Sequence, residues 1–426
     1  MQRPERSRRT FLGTTAVAAG TALAGCLLPR GNLASGTPSK LTFEDVDEQF
    51  RTRTEAVYER VAEMMDAAVT DETAIELIDT AEMQEIAVGM GLTGETTTQQ
   101  LAHRALGLVD DLEPELPFEF AGAYFPGSRT ITFVGEDGDD IDDQLIAHEL
   151  CHAIQFQSSD VGSLNRTWSA GFDRYNAKQA LVEGTAQYVE DEYVGGCDGH
   201  FSECHIGGPR AAGLSRVDPA LLLAFGAYIN GHEFAAALAD RNGWDAIWDA
   251  HATPPVSTGQ ILHPEWYPDR EPEPIESPSH PSDRWSTLDT EQLGMQSLFV
   301  TLWNEGVLPE ESIYTNGDDE TDEVFSSLVR YRAPVSDAWR GDAFTAFRRS
   351  DGRHGWRWQL RFSDSSAAET SFEYFSEWAE ARGDRTSAGD VWERTDRYLT
   401  LAMDGDELIV AMAPEVDELD AIASTN

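Results

Sequence analysis

The sequence predicts an α+β fold in two units, on three observations. A hairpin pattern, "FEFAGAYFPGSRTITFVGED", runs directly into a helical pattern near residue 142. The last third of the chain reads helix-ββ-helix-ββ. Between them, the stretch from His251 to Asp283 is rich in proline and irregular, which suits a boundary or a loop wrapping the first unit. With 426 residues, 41% of them hydrophobic, the chain can bury a sizeable core.

The elements follow in order. From Thr42 to Ala68 apolar residues recur at helical spacing (Phe50, Val57, Val61, Met64, Met65, Ala68), predicting an amphipathic helix. "TAIELIDTA" reads as a strand, and Glu95 to Asp111 as a helix. Phe118 to Phe125, a Pro126-Gly127-Ser128 turn and Arg129 to Val134 form the hairpin. Helical patterns then run from Asp142 to Gln157, Ala177 to Val194, and Pro219 to Arg241, the last broken near Gly226 and Gly231. The second unit begins near Trp285, with a helix from Asp289 to Glu305, a hairpin turning at Ser350-Asp351-Gly352, a helix from Ser365 to Arg382 and a hairpin turning at Asp404-Gly405. The expected units are therefore 42–284 and 285–426, with no internal repeat.

Charge narrows the partners. Against 31 Lys plus Arg stand 76 Asp plus Glu, a formal net charge of −45. Such a balance argues against nucleic acid as a partner. Normal hydrophobic and aromatic content places the charge on a folded surface rather than in a disordered polyanion. Lysine occurs only at Lys40 and Lys178, and this acidic, lysine-poor surface resembles that of haloarchaeal proteins.

The N-terminus reads as an address followed by an anchor. Ser7-Arg8-Arg9-Thr10-Phe11-Leu12 resembles the twin-arginine export consensus, and a weakly apolar stretch follows from Phe11 to Leu28. It ends in Leu23-Ala24-Gly25-Cys26, which resembles a lipobox, so residues 1–25 would be removed and Cys26 lipidated. A plain cleaved signal with a chance cysteine is the alternative. Residues 27–41 read as a polar tether. The mature protein is expected outside the cell, held to the membrane by lipid. In "GGCDGHFSECHIGG" an oxidising exterior favours a Cys197–Cys204 disulfide. A second metal site using the interleaved His200 and His205 is the sharper alternative.

The chemistry concentrates in "DQLIAHELCHAIQFQ". On a helix, His148 and His152 lie about 40° apart in rotation and about 6 Å apart along the axis, so both imidazoles aim at one point. Glu149 is rotated about 100° from His148, placed to act as a general base beside a metal. Catalytic zinc needs a third protein ligand and an open fourth position. Glu183, in "QALVEGTAQYVEDEY", supplies it: a glutamate within an apolar helical stretch is costly to bury unless paired or metal-bound, and Gly184 beside it allows close helix approach. Cys151 reads as a buried packing thiol. The acidic runs 136–143 and 316–323 read as solvated surface, with calcium binding as the alternative.

His148-Glu149-Leu150-Cys151-His152 followed by Glu183 resembles the gluzincin superfamily of zinc metallopeptidases. The resemblance implies a zincin-like first unit, an antiparallel hairpin plus active-site helices, with zinc on His148, His152 and Glu183 and Glu149 activating water. It also implies that a strand before the motif helix, Arg129 to Val134 or its partner, pairs with an extended peptide or protein substrate. Position 187 departs from the thermolysin-like pattern, being Gln187 rather than an acid, so Gln155, Asp142 or Asp143 are candidates to support the ligands. Tyr228 and His263 are candidates to stabilise an oxyanion. Together with the blocks "AYINGHEF", "RNGWDAIW", "PPVSTGQILHPEWY" and "AWRGDAFTAF", the chain resembles a family of haloarchaeal surface lipoproteins with a zincin-like core. The rival expectation is a non-catalytic surface protein that keeps the scaffold and its zinc.

Overall fold

A computed structural model describes residues 40–83, 97–107, 121–159, 171–197, 201, 204–207, 219–276, 281–309, 312–313, 331–395 and 397–424. The export and lipobox expectations, including Cys26, and the tether up to residue 39 lie outside these residues, as do His200 and the acidic run 316–323, while the last expected tether residue, Leu41, already belongs to a strand. No helix among the described residues is long and apolar enough to cross a membrane.

The first unit is built on a four-stranded sheet of order β1-β2-β4-β3, made of β1 (Leu41–Phe43), β2 (Thr73–Ile78), β3 (Gly122–Phe125) and β4 (Thr130–Val134). β1, β2 and β4 run parallel, and β3 returns antiparallel as the predicted hairpin. Helix α1 (Glu48–Met64) starts later than its apolar periodicity suggests. Residues 41–43 are recruited into the sheet beside β2, and Asp47 caps the helix by accepting from the Phe50 amide at 2.8 Å. Helix α2 (Thr97–Leu106) occupies the core of the expected 95–111 helix.

Helix α3 (Asp143–Ser158) carries the motif and is buried from Leu145 through Gln155. Such a helix is enclosed on all sides, here by α1, β3 and α4 (Phe172–Cys197). Asp142 caps it through the Leu145 amide. Cys197 and Cys204 form the predicted disulfide. After it the chain returns to the start of α3, where the His205 carbonyl accepts from the Asp143 amide at 2.8 Å and the His205 amide donates to the Asp143 carboxylate at 2.9 Å.

Helix α5 (Pro219–Ala252) corrects the expected break near Gly226 and Gly231: the non-helical residues are Asn242 and Gly243, the latter at φ +59°. Gly226 and Gly231 serve close packing instead. A methyl on Gly231 would meet the Ala180 carbonyl oxygen at 2.0 Å, and one on Gly184 would meet the Gly231 carbonyl carbon at 1.9 Å. Backbone therefore presses on backbone where α4 crosses α5, beside Glu183. The expected irregular stretch is also partly ordered: His251 still belongs to α5, and α6 (Thr258–Leu262) follows, fully buried.

In the second unit, β5 (Trp285–Glu291), β6 (Trp339–Arg349), β7 (His354–Phe362), β8 (Asp384–Arg385), β9 (Val391–Arg394), β10 (Arg397–Asp404) and β11 (Glu407–Ala413) form one antiparallel sheet of order β5-β6-β7-β11-β10-β9-β8. Both predicted hairpins are present, joined through β7 and β11. The predicted 289–305 helix is corrected: residues to Glu291 pair with β6, and helix α7 (Gly294–Asn304) begins after them. Its start is set from a distance, because the Asp342 carboxylate accepts from the Leu293 and Gly294 amides, each at 2.9 Å. Helix α8 (Ser365–Arg382) coincides with its sequence range. One apolar core links Ala102, Leu222, Ile229 and Leu262 with Phe299, Trp358 and Trp378, so the expected 284/285 boundary is crossed by shared packing.

Candidate metal centre

His148, Glu149, His152 and Gln155 come from about two turns of α3, and Glu183 and Glu190 from α4. His148, His152 and Glu183 are all buried, and one ligand atom from each lies within 4.8 Å of the others. Nε2 of His148 is 3.6 Å and Nε2 of His152 is 3.3 Å from the same oxygen, Glu183 Oε2. The two rings stand nearly perpendicular, at 84°.

The outer ring nitrogens are held separately. His152 Nδ1 is 2.9 Å from Gln155 Oε1, while Gln155 Nε2 donates to the Val182 carbonyl and lies 3.2 Å from His251 Nε2. His251 in turn contacts the Ile247 carbonyl through Nδ1, and burial pulls its pKa down to about 4, so it is neutral. His148 Nδ1 is 3.4 Å from Glu190 Oε2. Gln155 thus takes the supporting role expected of it. Asp142 and Asp143 do not: the first caps α3, and the second binds Tyr193, His205 and Arg53.

The electrostatics are those of cations missing from a carboxylate cage. Burial alone would lower His148, but its contacts with Glu183 and Glu190 and the charge of Glu149 outweigh this and raise it to about 10. Burial alone would raise Glu183, but the histidines draw it down to about 2. Glu149 is raised, chiefly by burial, against the opposing pull of His152 and His148. Neither of its oxygens pairs with a side chain among the described residues, although the residue is fully buried, and the Tyr124 backbone is the donor that opposes the rise.

The residues fit a divalent ion. Ligand bonds of about 2.0–2.1 Å in a tetrahedron place ligand atoms roughly 3.4 Å apart, close to the two imidazole–carboxylate separations of 3.3 and 3.6 Å, within a group whose three ligand atoms lie within 4.8 Å of one another. Glu183 Oε2 is buried and faced by both imidazoles, the position of a carboxylate ligand to a shared ion.

Tyr228 joins the site from α5. Its ring stacks on His148 at 6.2 Å, and its buried hydroxyl faces the Glu183 carboxylate. Burial first, then the charges of Glu183 and Glu149, push its pKa well up, so it remains a donor. His263 is placed elsewhere: its ring nitrogens face Glu265 at 3.0 Å and Asp337 at 3.2 Å, and its ring stacks on Trp266. The oxyanion role expected of His263 is corrected accordingly. Cys151 is a buried free thiol, as expected. Of the acidic run 136–143, Asp137 and Asp142 cap helices and Asp143 is buried against Arg53.

Sequence reasoning missed Glu190 and His251. Glu190 had a signal, lying two turns beyond Glu183 on the same face of one helix. His251 had none, because only the fold brings it to Gln155.

Residues 284–423 match a sequence family described as a domain of unknown function (DUF8575), a match confined to the second unit. No curated protein and no solved structure matches the chain.

Proposed function

We propose that the protein is a zinc-dependent hydrolase of the gluzincin type, acting as a peptidase. The observation that carries this reading is Glu149: a fully buried carboxylate that pairs with no side chain among the described residues, directly behind a convergent His148–His152–Glu183 group. A purely structural metal site does not need such a residue, and burying it without a side-chain partner is costly.

A zinc ion held by His148, His152 and Glu183 would polarise a scissile carbonyl and acidify water. Glu149 accepts the proton from the attacking water and passes it to the leaving amine, a task suited to a carboxylate whose pKa is raised. Tyr228 donates its buried hydroxyl to the developing oxyanion. Gln155 and Glu190 keep the two imidazoles turned inward.

Substrate binding falls to β3. The alternative strand, β4, is paired on both sides by β2 and β3, so it has no free edge. β3 is the edge strand, and a methyl on Gly122 would lie 3.2 Å from Glu149 Cγ. An extended peptide adding to β3 passes beside the base.

Residues 1–26 support export and lipid anchoring at the cell surface, and the Cys197–Cys204 disulfide suits an oxidising exterior. The deciding experiment pairs metal analysis with digestion of a peptide library at molar salt. Stoichiometric zinc with cleavage that Glu149→Gln abolishes supports the reading. Zinc with no cleavage by the wild type favours the non-catalytic surface protein.

A further inference from the structure

Away from the metal centre, a cavity of about 90 Å³ lies where the segment after α6 meets the start of β6. Trp266, Arg270, Trp339 and Arg340 are among its walls. In a chain of net charge −45, two arginines converge on one aromatic ring: Arg270 Cζ is 3.8 Å and Arg340 Cζ is 5.7 Å from the Trp266 ring centroid. His263 stacks on the same indole at 4.2 Å, fixing its plane.

The Arg270 side chain makes no hydrogen bond or ion pair among the described residues and rests on the indole, while its backbone amide donates to the Trp266 carbonyl at 2.7 Å. Stacking orients a guanidinium without using its N–H groups, leaving the fork free for a planar oxyanion. Arg340 uses Nη1 on the Asp337 and Trp339 carbonyls, at 3.0 and 2.6 Å, and has no carboxylate within ion-pair distance. Trp339 is 1% exposed, and its indole N–H has no acceptor. Glu271 and Glu273 also border the cavity, but Glu271 is exposed and the Glu273 carboxylate faces Arg361 at 3.6 Å. Burial, then the charge of Arg270, lowers the pKa of Arg340 against the opposing charges of Glu273, Asp364 and Asp337.

We propose that this cavity binds a compact oxyanion, a carboxylate or a phosphate group, between Arg270 and Arg340. Two guanidinium forks recognise such a group bidentately, which separates it from the chloride of a saline medium. Because the Glu273 amide donates to the Arg340 carbonyl at 2.7 Å, an occupant also fastens the 270–273 segment to β6. The site does not depend on the metal centre being catalytic.

The test uses the full chain at a fixed high potassium chloride concentration, with inorganic phosphate, acetate, and one short peptide in free-acid and amidated forms as probes. Calorimetry and thermal unfolding should show saturable binding, with a rise in Tm beyond that given by equal added chloride. Arg270→Gln should weaken binding at least tenfold while zinc content and the probe-free Tm stay unchanged. Arg270→Lys, which keeps the charge but loses the fork, should fall between. Phosphate binding alone identifies a phosphate ligand, and binding of the free-acid but not the amidated peptide identifies a terminal carboxylate. If no probe binds the wild type, or if Arg270→Gln binds as tightly, the proposal is wrong.

Discussion

Glu190 Oε2 lies 3.4 Å from His148 Nδ1, on the same helix as Glu183 and two turns beyond it. One face of α4 thus carries both the carboxylate that meets the inner nitrogens of the two imidazoles and the carboxylate that orients one of them from outside. The consequence is measurable. Glu190→Gln, which keeps the shape and removes the charge, should weaken metal affinity by about 10–100-fold. Competition against a chelator reads the change, and equal affinity in the two proteins would contradict the positioning role.

Glu149 acts at a different stage. Glu149→Gln should leave one metal per chain and an unchanged unfolding curve at saturating metal, while the cleavage rate drops by about 10²–10⁴-fold. Residual cleavage at the wild-type rate would transfer the base role to another group.

The glycine pair at the α4–α5 crossing tests how the third ligand is held. Gly184→Ala would place a methyl 1.9 Å from the Gly231 carbonyl carbon, which rigid backbone cannot absorb. The expected cost is about 1–3 kcal/mol in denaturant unfolding, with weakened metal binding because Glu183 moves with its helix. Gly195 on the same helix has nothing within 4 Å of a built methyl. Gly195→Ala should therefore be neutral or stabilising by up to about 1 kcal/mol. Equal effects at the two positions would remove the close-packing argument.

The ion pairs of the metal-free centre set a pH window. His148, raised from 6.5 to about 10, contributes stability that is complete below pH 6.5 and lost as pH rises through 10. Glu183, lowered from 4.5 to about 2, contributes stability that is complete above pH 4.5 and lost as pH falls through 2. Both belong to one interaction, so the metal-free centre is best held together between these limits. Metal must displace the His148 proton, and its affinity therefore grows with pH. The rise in Tm on adding zinc should be larger at pH 8 than at pH 6, with proton release on binding detectable by calorimetry in buffers of different ionisation enthalpy. A pH-independent increment would argue against coordination by His148.

By itself the sequence determined which three residues converge as candidate ligands, and much of the scaffold around them. Four-residue spacing on a helix put His148 and His152 together, the cost of a buried carboxylate singled out Glu183, and turn residues marked the hairpins ending at Val134, Phe362 and Ala413. Those features are local, fixed by helical or strand period within a few residues. The tertiary structure decided what depends on contacts between distant segments. It made β3 rather than β4 the free edge, let Gly226 and Gly231 pack rather than break α5, and set the start of α7 through Asp342. It brought His251 behind Gln155 and turned His263 toward Asp337, away from the metal ligands. Periodicity states which face of an element is apolar, but only packing states what that face meets.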